Sequence, residues 1–398
     1  MYRLFPLFAG LAAATAVLAA PADPAKFRSD ARAIETLVAE NYAYPERLPG
    51  GRLPLSGKLR AEAEAVANNT SLLRFAERAL ATLADHHAIT GSSFANSSAL
   101  VPSQSDLWVE PEGRGFAITA VRAGSPAAAA GIRPGDRMAS VEGVPAAEAV
   151  RAFWADLGLE PEGARAGYAA RVLAAGRRDR PRHLGIEGRG GTRDVVLPHW
   201  TSLPQRDVGP VSASEEGAVP VIRINDSLGQ DATIGAFDAA MAKVLERPSR
   251  TRRLILDLTE TPSGGNSVVA RGILSWFVKR PTIYQVHRLP SEERRTGIAR
   301  QWAEQVLPRP GKYFGGKVEV RVGRWTGSMG EGIAIAFDAL GADVPGDRMA
   351  GLLGAVYDFQ LPASGLTIKF PAERLYTARG LPREAFEPKP LARPHRAK

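Results

Sequence analysis

The chain has 398 residues, 44% hydrophobic and 23% charged, with 40 Gly, 30 Pro and no Cys; collagen, coiled coil and wholesale disorder are excluded, and two or three domains with separate cores are expected. Without cysteine there is no disulfide framework, thiolate nucleophile or Cys-based zinc site, so chemistry must rest on oxygen and nitrogen side chains. The net charge of +9 comes from 51 Lys and Arg against 42 Asp and Glu, dispersed without a basic stripe carrying aromatics, which argues against a nucleic-acid partner.

Residues 1–20 read as a secretory signal peptide: Arg3, an apolar run to Leu18, then Ala19 and Ala20. The run is shorter than the roughly 20 residues a bilayer span needs. An exported protein, periplasmic or secreted and without a membrane span once the leader is removed, is expected. Residues 26–97 predict a helical domain, with Ile34, Leu37 and Val38, then Leu72, Phe75, Leu80 and Leu83, at helical spacing. Its last helix has a start signal at Ser71 and loses periodicity near Asp85, which sets His86 and His87 just past the helix end. Residues 104–200 change to short strands punctuated by Gly and Pro-Gly-Asp turns, a compact β-rich module closing near Pro198.

From 215 to 390 strands and helices alternate. Val219–Ile224, Leu254–Leu258 and Val318–Val322 read as buried strands. Helices follow each, the first carrying Ile234, Phe237, Met241, Val244 and Leu245 on one face. This predicts an α/β layer of parallel strands with its site outside the strand carboxyl ends, within an α+β multidomain chain.

Ser328 lies in Thr326-Gly327-Ser328-Met329-Gly330-Glu331-Gly332, between the third strand and its helix. Flanking glycines permit a sharp turn presenting a hydroxyl at a helix N-terminus, where free N–H groups favour a developing negative charge. The same residues also fit a plain capping box, Ser328 with Glu331. A second glycine turn, Leu256 to Gly265, leaves the neighbouring strand. Together the turns offer two oxyanion donors, the Met329 N–H and one from Gly264 or Gly265; the alternative is an ordinary strand-to-helix turn.

A serine nucleophile needs a base, and the histidines are His86, His87, His183, His199, His287 and His395. The α/β-hydrolase order would leave only His395 downstream, and Thr326 breaks the G-x-S-x-G elbow. No lysine near the turn supports a Ser-Lys dyad, since Lys369, Lys389 and Lys398 fall on a strand or in the tail. An upstream histidine is therefore expected. Of the adjacent His86 and His87, one faces inward. Neither an H-E-x-x-H motif nor a third ligand is present, so neither metal nor cofactor is expected. His287, in YQVHRLPSEERRTG, reads as a loop residue, either lining a cleft or exposed.

The middle module, with Gly113-Arg114-Gly115-Phe116 and Gly131-Ile132-Arg133-Pro134-Gly135-Asp136, resembles a PDZ domain. The third region resembles the core of the tail-specific or carboxyl-terminal processing serine peptidases, a group that includes interphotoreceptor retinoid-binding protein and tricorn protease. The helical segment, LDLTETPSGGN and TGSMGEG stand in the family's order over nearly the whole mature chain. The resemblance implies a crotonase-like, ClpP-like core, Ser328 as nucleophile and an oxyanion hole from Met329, Gly264 and Gly265. It implies a PDZ module that captures the carboxyl end or a hydrophobic stretch of a polypeptide by strand addition, with Gly113, Gly115, Phe116 and Ile118 in the groove.

In the family's Ser-Lys branch a lysine stands where this chain has Leu352, within Gly346 to Leu353. That departure points to the Ser-His-Glu branch, in which Asp85-His86-His87 supplies His87 as base and Gly380-Leu381-Pro382-Arg383-Glu384 supplies Glu384 as acid. The usual Gly-Ile before Glu387-Pro388 is absent. The implied function is a serine endopeptidase acting on exported polypeptides. The alternatives are a catalytically inactive peptide- or ligand-binding protein on the same scaffold, and a lipase or esterase.

Overall fold

The structure, a computed structural model, describes residues 23–98, 101–199, 209–225, 228–246, 253–262 and 265–391. The leader expected at 1–20, Gly264 and His395 lie outside these residues. The first lobe holds α1 (Pro24–Asn41), α2 (Gly57–Ala65), α3 (Asn69–Ala81) and the short β1 (Ile89–Thr90). Asp23 caps α1 by accepting the Ala25 N–H at 2.9 Å, with Pro24 opening the helix. The cap of α3 is Asn68, not the expected Ser71: Asn68 Oδ1 accepts the Ser71 N–H, and Ser71 Oγ accepts the Asn68 N–H. That reciprocal box starts the helix earlier and leaves Ser71 inside its first turn. Ile34, Val38, Leu72 and Phe75 are fully buried between the helices.

The central lobe holds β2 (Leu107–Glu112), β3 (Gly115–Val121), α4 (Pro126–Ala129), β4 (Arg137–Val141), β5 (Val144–Pro145), α5 (Ala146–Asp156), α6 (Ala164–Ala175), β6 (Arg182–Gly188) and β7 (Gly191–Leu197). Its sheet runs β2-β3-β4-β6-β7, with β5 on β4. The strands agree with the sequence reading, but α5 and α6 were not anticipated. The α6 segment is rich in Ala and starts after Gly163 with no side-chain cap, so neither a start signal nor a strong apolar period marks it. A buried ion pair, Arg182 with Asp106, joins the module's end to its beginning.

The last lobe holds β8 (Val211–Glu216), β9 (Val219–Ile224), α7 (Ala232–Leu245), β10 (Arg253–Asp257), α8 (Ser267–Leu274), β11 (Thr282–Arg288), α9 (Pro290–Thr296), β12 (Gln301–Val306), β13 (Lys317–Arg321), α10 (Met329–Ala339), β14 (Ala355–Gln360) and β15 (Thr367–Thr377). The order β13-β10-β9-β8 contains three parallel neighbours, with Leu256 opposite Ile222 on one side and Val320 on the other. These are the three strands read from the sequence. A second sheet, β1-β15-β11-β12 with β14 beside β15, was not anticipated. In it β1 pairs antiparallel with β15, Ile89 opposite Lys369, so a strand of the first lobe completes a sheet of the last. Among the described residues no helix is long and apolar enough to cross a membrane.

Candidate active site

Because β10 and β13 are parallel neighbours, the chain leaves both at one end of the sheet, and their two glycine turns meet there. The Gly327 N–H donates to the Thr261 carbonyl at 2.9 Å. A Cβ on Gly327 would lie 2.5 Å from the Pro262 carbonyl oxygen and 2.8 Å from Ser103 Oγ, so only glycine allows this approach. Thr326 Oγ1 donates to the Leu258 carbonyl at 2.8 Å, and Trp325 Nε1 to the Ser105 carbonyl at 2.7 Å, which ties the turn to the central lobe.

Ser328 precedes α10 with φ 53° and ψ −114°. Only three non-glycine residues of the described chain have positive φ: Ala84, Glu142 and Ser328. Glu142 sits in the tight turn between β4 and β5, where such a conformation is routine. The other two introduce Asp85-His86-His87 and form the glycine turn itself. Backbone strain of about 1 to 3 kcal/mol per residue persists where surrounding structure imposes it, and it gathers at functional sites. As the first residue of α10, Met329 has an N–H with no intrahelical acceptor, and no hydrogen bond engages it among the described residues.

Glu331 does more than complete a cap. Its carboxylate accepts the N–H groups of Ser328 at 2.9 Å, Gly351 at 2.9 Å and Leu352 at 3.2 Å. It thereby clamps the loop at 350–353 to the serine turn. Burial pushes its pKa up to about 7, against the opposing pull of Arg383 and the three N–H donors. Leu352, at the position where the family's Ser-Lys branch has lysine, is buried with Trp108 and Ala350 in a small apolar cluster.

The same loop receives the histidine. The pairing of β1 with β15 carries residues 85–87 to it, and His87 Nδ1 donates to the Leu353 carbonyl at 2.6 Å. A carbonyl oxygen only accepts, so Nδ1 bears the proton and Nε2 keeps its lone pair. Burial, helped by the charge of Arg383, holds the His87 pKa down to about 4 despite that hydrogen bond, so the ring is neutral at pH 7. The Asp85 carboxylate accepts the His87 backbone N–H at 2.9 Å and the Tyr42 hydroxyl at 2.8 Å. Among the described residues Ser328 Oγ has no hydrogen bond to either histidine; catalytic bonds of this kind tighten when substrate binds.

His86 is committed elsewhere. Its Nε2 accepts from Arg171 Nε at 2.9 Å, and its ring stacks on Tyr168 with centroids 4.4 Å apart. Since guanidinium only donates, that nitrogen's lone pair is taken.

Glu384 is not hydrogen-bonded to His87, because the Leu353 carbonyl holds the ring nitrogen a third triad member would hold. Among the described residues its Oε2 is buried without a well-formed hydrogen bond, as is the Tyr44 hydroxyl beside it, whose pKa burial and the Glu384 charge push up. Its neighbour Arg383 donates to the carbonyls of Leu352 and Gly354. Glu384, His86, Glu331 and Leu353 line one cavity of about 560 Å³ between the three lobes.

The groove residues expected in the central module are placed differently. Gly113 forms the turn between β2 and β3, and Gly115 opens β3. Phe116 and Ile118 are buried in the module's own core. β3 pairs with β2 along its length, and on the other side its Ala117 pairs with β4 and its Ile118 exchanges backbone hydrogen bonds with the β4 approach, so an added strand would meet an occupied edge at these two residues. His287 is not in a loop: it is buried in β11, hydrogen-bonded to Glu304 at 2.9 Å and to Glu373, and stacked on Trp302. Its alternation with buried Gln285 in YQVHR was the available strand signal. His183 is exposed on β6. Among the described residues no three His, Asp or Glu side chains converge to hold a metal ion.

No protein-family model matches the chain, and no curated protein matches it in sequence. Its fold is similar to solved structures. One is a photosystem II D1 C-terminal processing protease, with TM-score 0.54 and 16% identity over 93% of this chain and 92% of that one. Another is mature CPAF complexed with lactacystin, with TM-score 0.55 and 15% identity over 92% and 93%. At these identities the likeness establishes the fold of carboxyl-terminal processing proteases over the described lobes.

Proposed function

We propose that the chain is a serine endopeptidase acting on exported polypeptides. The observation that carries the reading is the Ser328 turn: a strained serine at the N-terminus of α10, beside the turn after β10, with the Met329 N–H unengaged among the described residues. Ser328 Oγ attacks the scissile carbonyl carbon while its proton passes to His87 Nε2. The carbonyl oxygen becomes an oxyanion held by the Met329 N–H and by Gly264 or Gly265. Collapse expels the amine, which takes the proton from His87, and water repeats the sequence on the acyl-serine.

In this reading the Leu353 carbonyl orients the imidazole, and Glu384 remains the proposed acid, acting on the imidazolium without holding the ring. The leader at 1–20 supports exported substrates, and the fold shared with a D1 C-terminal processing protease supports a polypeptide. Because Phe116 and Ile118 are buried in the lobe's core and β3 is engaged on both sides at Ala117 and Ile118, capture by the PDZ-like central lobe is assigned to another part of that lobe.

The test combines an unfolded polypeptide with a serine-directed phosphonate. Fragments, with label on Ser328 and loss of both in Ser328→Ala, are expected. Unlabelled serine and intact polypeptide would establish the alternative favoured by the unmade Ser328–His87 bond, a protein that binds polypeptide without cutting it.

A further inference from the structure

The chain leaves α1 through two tyrosines, and each ends beside a carboxylate near the loop that holds His87. Tyr42 donates to Asp85. Tyr44 is fixed by β15: the Ala43 N–H donates to the Pro371 carbonyl at 2.8 Å, Arg374 Nε donates to the Ala43 carbonyl at 2.7 Å, and the Arg374 guanidinium lies 4.7 Å from the Tyr44 ring centroid. Only 4% of Tyr44 is exposed. Its hydroxyl lies against Gly354, the residue after the carbonyl that orients His87. A Cβ on Gly354 would come within 3.2 Å of that hydroxyl, and a φ of 47° reserves the position for glycine. Arg383 donates to the Gly354 carbonyl at 2.9 Å, which brings Glu384 to the same place.

Glu384 is half-buried in a short helical turn, Arg383–Ala385, and lines the cavity. Its Oε2 is shielded from water, and so is the Tyr44 hydroxyl, each without another well-formed hydrogen bond among the described residues. The adjacent Arg383 turns its Nη2 to the Leu352 and Gly354 carbonyls instead. A shielded carboxylate oxygen without a donor is costly; an ionised carboxylate only accepts, so the phenol is the donor. Burial, then the charge of Glu384 and its hydrogen bond, push the Tyr44 pKa up against the pull of Arg383 and Arg374, so the phenol keeps its proton at any working pH. We propose that Tyr44 is a positioning residue for Glu384: its phenol holds the shielded oxygen and so keeps the carboxylate where it acts on the imidazolium of His87. The bond stands on the packing; its part in turnover rests on the peptidase reading.

Two measurements on the full-length protein separate the bond from its role. With tyrosine labelled at Cζ, the Tyr44 NMR resonance, assigned by its loss in Tyr44→Phe, should shift on Glu384→Gln, which takes the charge from the acceptor. It should stay in place on Glu387→Gln, an exposed control nearby. A Tyr44 resonance indifferent to Glu384→Gln overturns the proposal whatever the kinetics. In steady-state cleavage of one peptide, Tyr44→Phe should lower kcat about tenfold, the order set by one hydrogen bond to a charged group. KM should be unchanged, and Tyr44→Phe should cost nothing further in a Glu384→Gln background. Equal losses in both backgrounds, or a loss confined to KM, would show that the phenol only packs the loop, and would overturn the positioning role. Glu384→Gln protein as active as wild type would remove Glu384 as the acid, and Tyr44 with it, while Ser328 and His87 stand. A wild type that cuts no peptide would defeat the peptidase reading and the role in turnover together, and the resonance would still decide the bond.

Discussion

His87 and His287 are both buried, yet their surroundings drive them to opposite charge states. His87 meets only a carbonyl, and burial holds it neutral with a pKa of about 4. His287 stands between two carboxylates. Burial opposes its charge as well, but the hydrogen bonds and charges of Glu304 and Glu373 win and push it up to about 9. The lesson is that the partner, not the depth, decides the protonation state. A general base must arrive unprotonated, which suits the first environment; the second is an ion cluster that joins β11, β12 and β15.

The largest effect that would break this contrast is catalytic. His87→Ala should lower kcat/KM by about 10² to 10⁴-fold, the usual contribution of a general base. His86→Ala should leave kcat/KM within about threefold, since the His86 Nε2 lone pair is taken by Arg171 and is not free to act as a base. Steady-state kinetics of both variants on one peptide decides the matter, and a larger kcat loss for His86 would reverse the assignment.

The other histidine is sharpened by stability. Removing one member of a buried ion cluster leaves its partners uncompensated, so His287→Gln should destabilise the fold by roughly 3 kcal/mol at neutral pH. A pKa raised on folding gives stability that is complete below the unfolded value near 6.5 and is lost as pH rises through about 9. His87 has the opposite sign: its depressed pKa makes stability fall as pH drops from about 6.5 through about 4. Unfolding midpoints across pH for wild type and His287→Gln should therefore converge on the alkaline side. A constant gap from pH 6 to 10 would show that His287 is held by packing and not by charge.

What the sequence disclosed follows the same division between local and distant causes. The parallel strands at 219–224, 253–257 and 317–321 are short apolar runs bounded by turns, and each was legible from its own residues. So was Ser328, because glycines on both sides advertise a turn whose chemistry is local. The second sheet was not legible, since β1 is two residues long and exists only through its pairing with β15, some 280 residues later. For the same reason sequence alone could name Asp85-His86-His87 but not separate the histidines: one is oriented by the Leu353 carbonyl, the other by Arg171, and neither partner is near in the chain. Glu331 showed its capping role but not its clamp on Gly351 and Leu352. His287 was misplaced because the Leu289-Pro290 turn and the charged run after it masked the strand alternation before it.

The smallest expected effect concerns the one carboxylate that does lie beside His87 in sequence. Asp85 would charge the imidazole if it reached the ring, as Glu373 does for His287, but its oxygens are spent on the His87 backbone N–H and the Tyr42 hydroxyl. Tyr42 thus keeps the two environments different from a distance. Tyr42→Phe changes little volume and leaves Asp85 Oδ2 without its donor, an unmet buried acceptor worth about 1 to 3 kcal/mol. Stability should fall by that amount, and kcat/KM should fall by less than His87→Ala costs, because the base keeps its Leu353 hydrogen bond. The decisive reading is NMR titration of the His87 ring in Tyr42→Phe. A pKa remaining near 4 shows that Asp85 stays on the backbone, whereas a rise toward the His287 value shows that the freed carboxylate has swung onto the imidazole and that the phenol was what kept the base neutral.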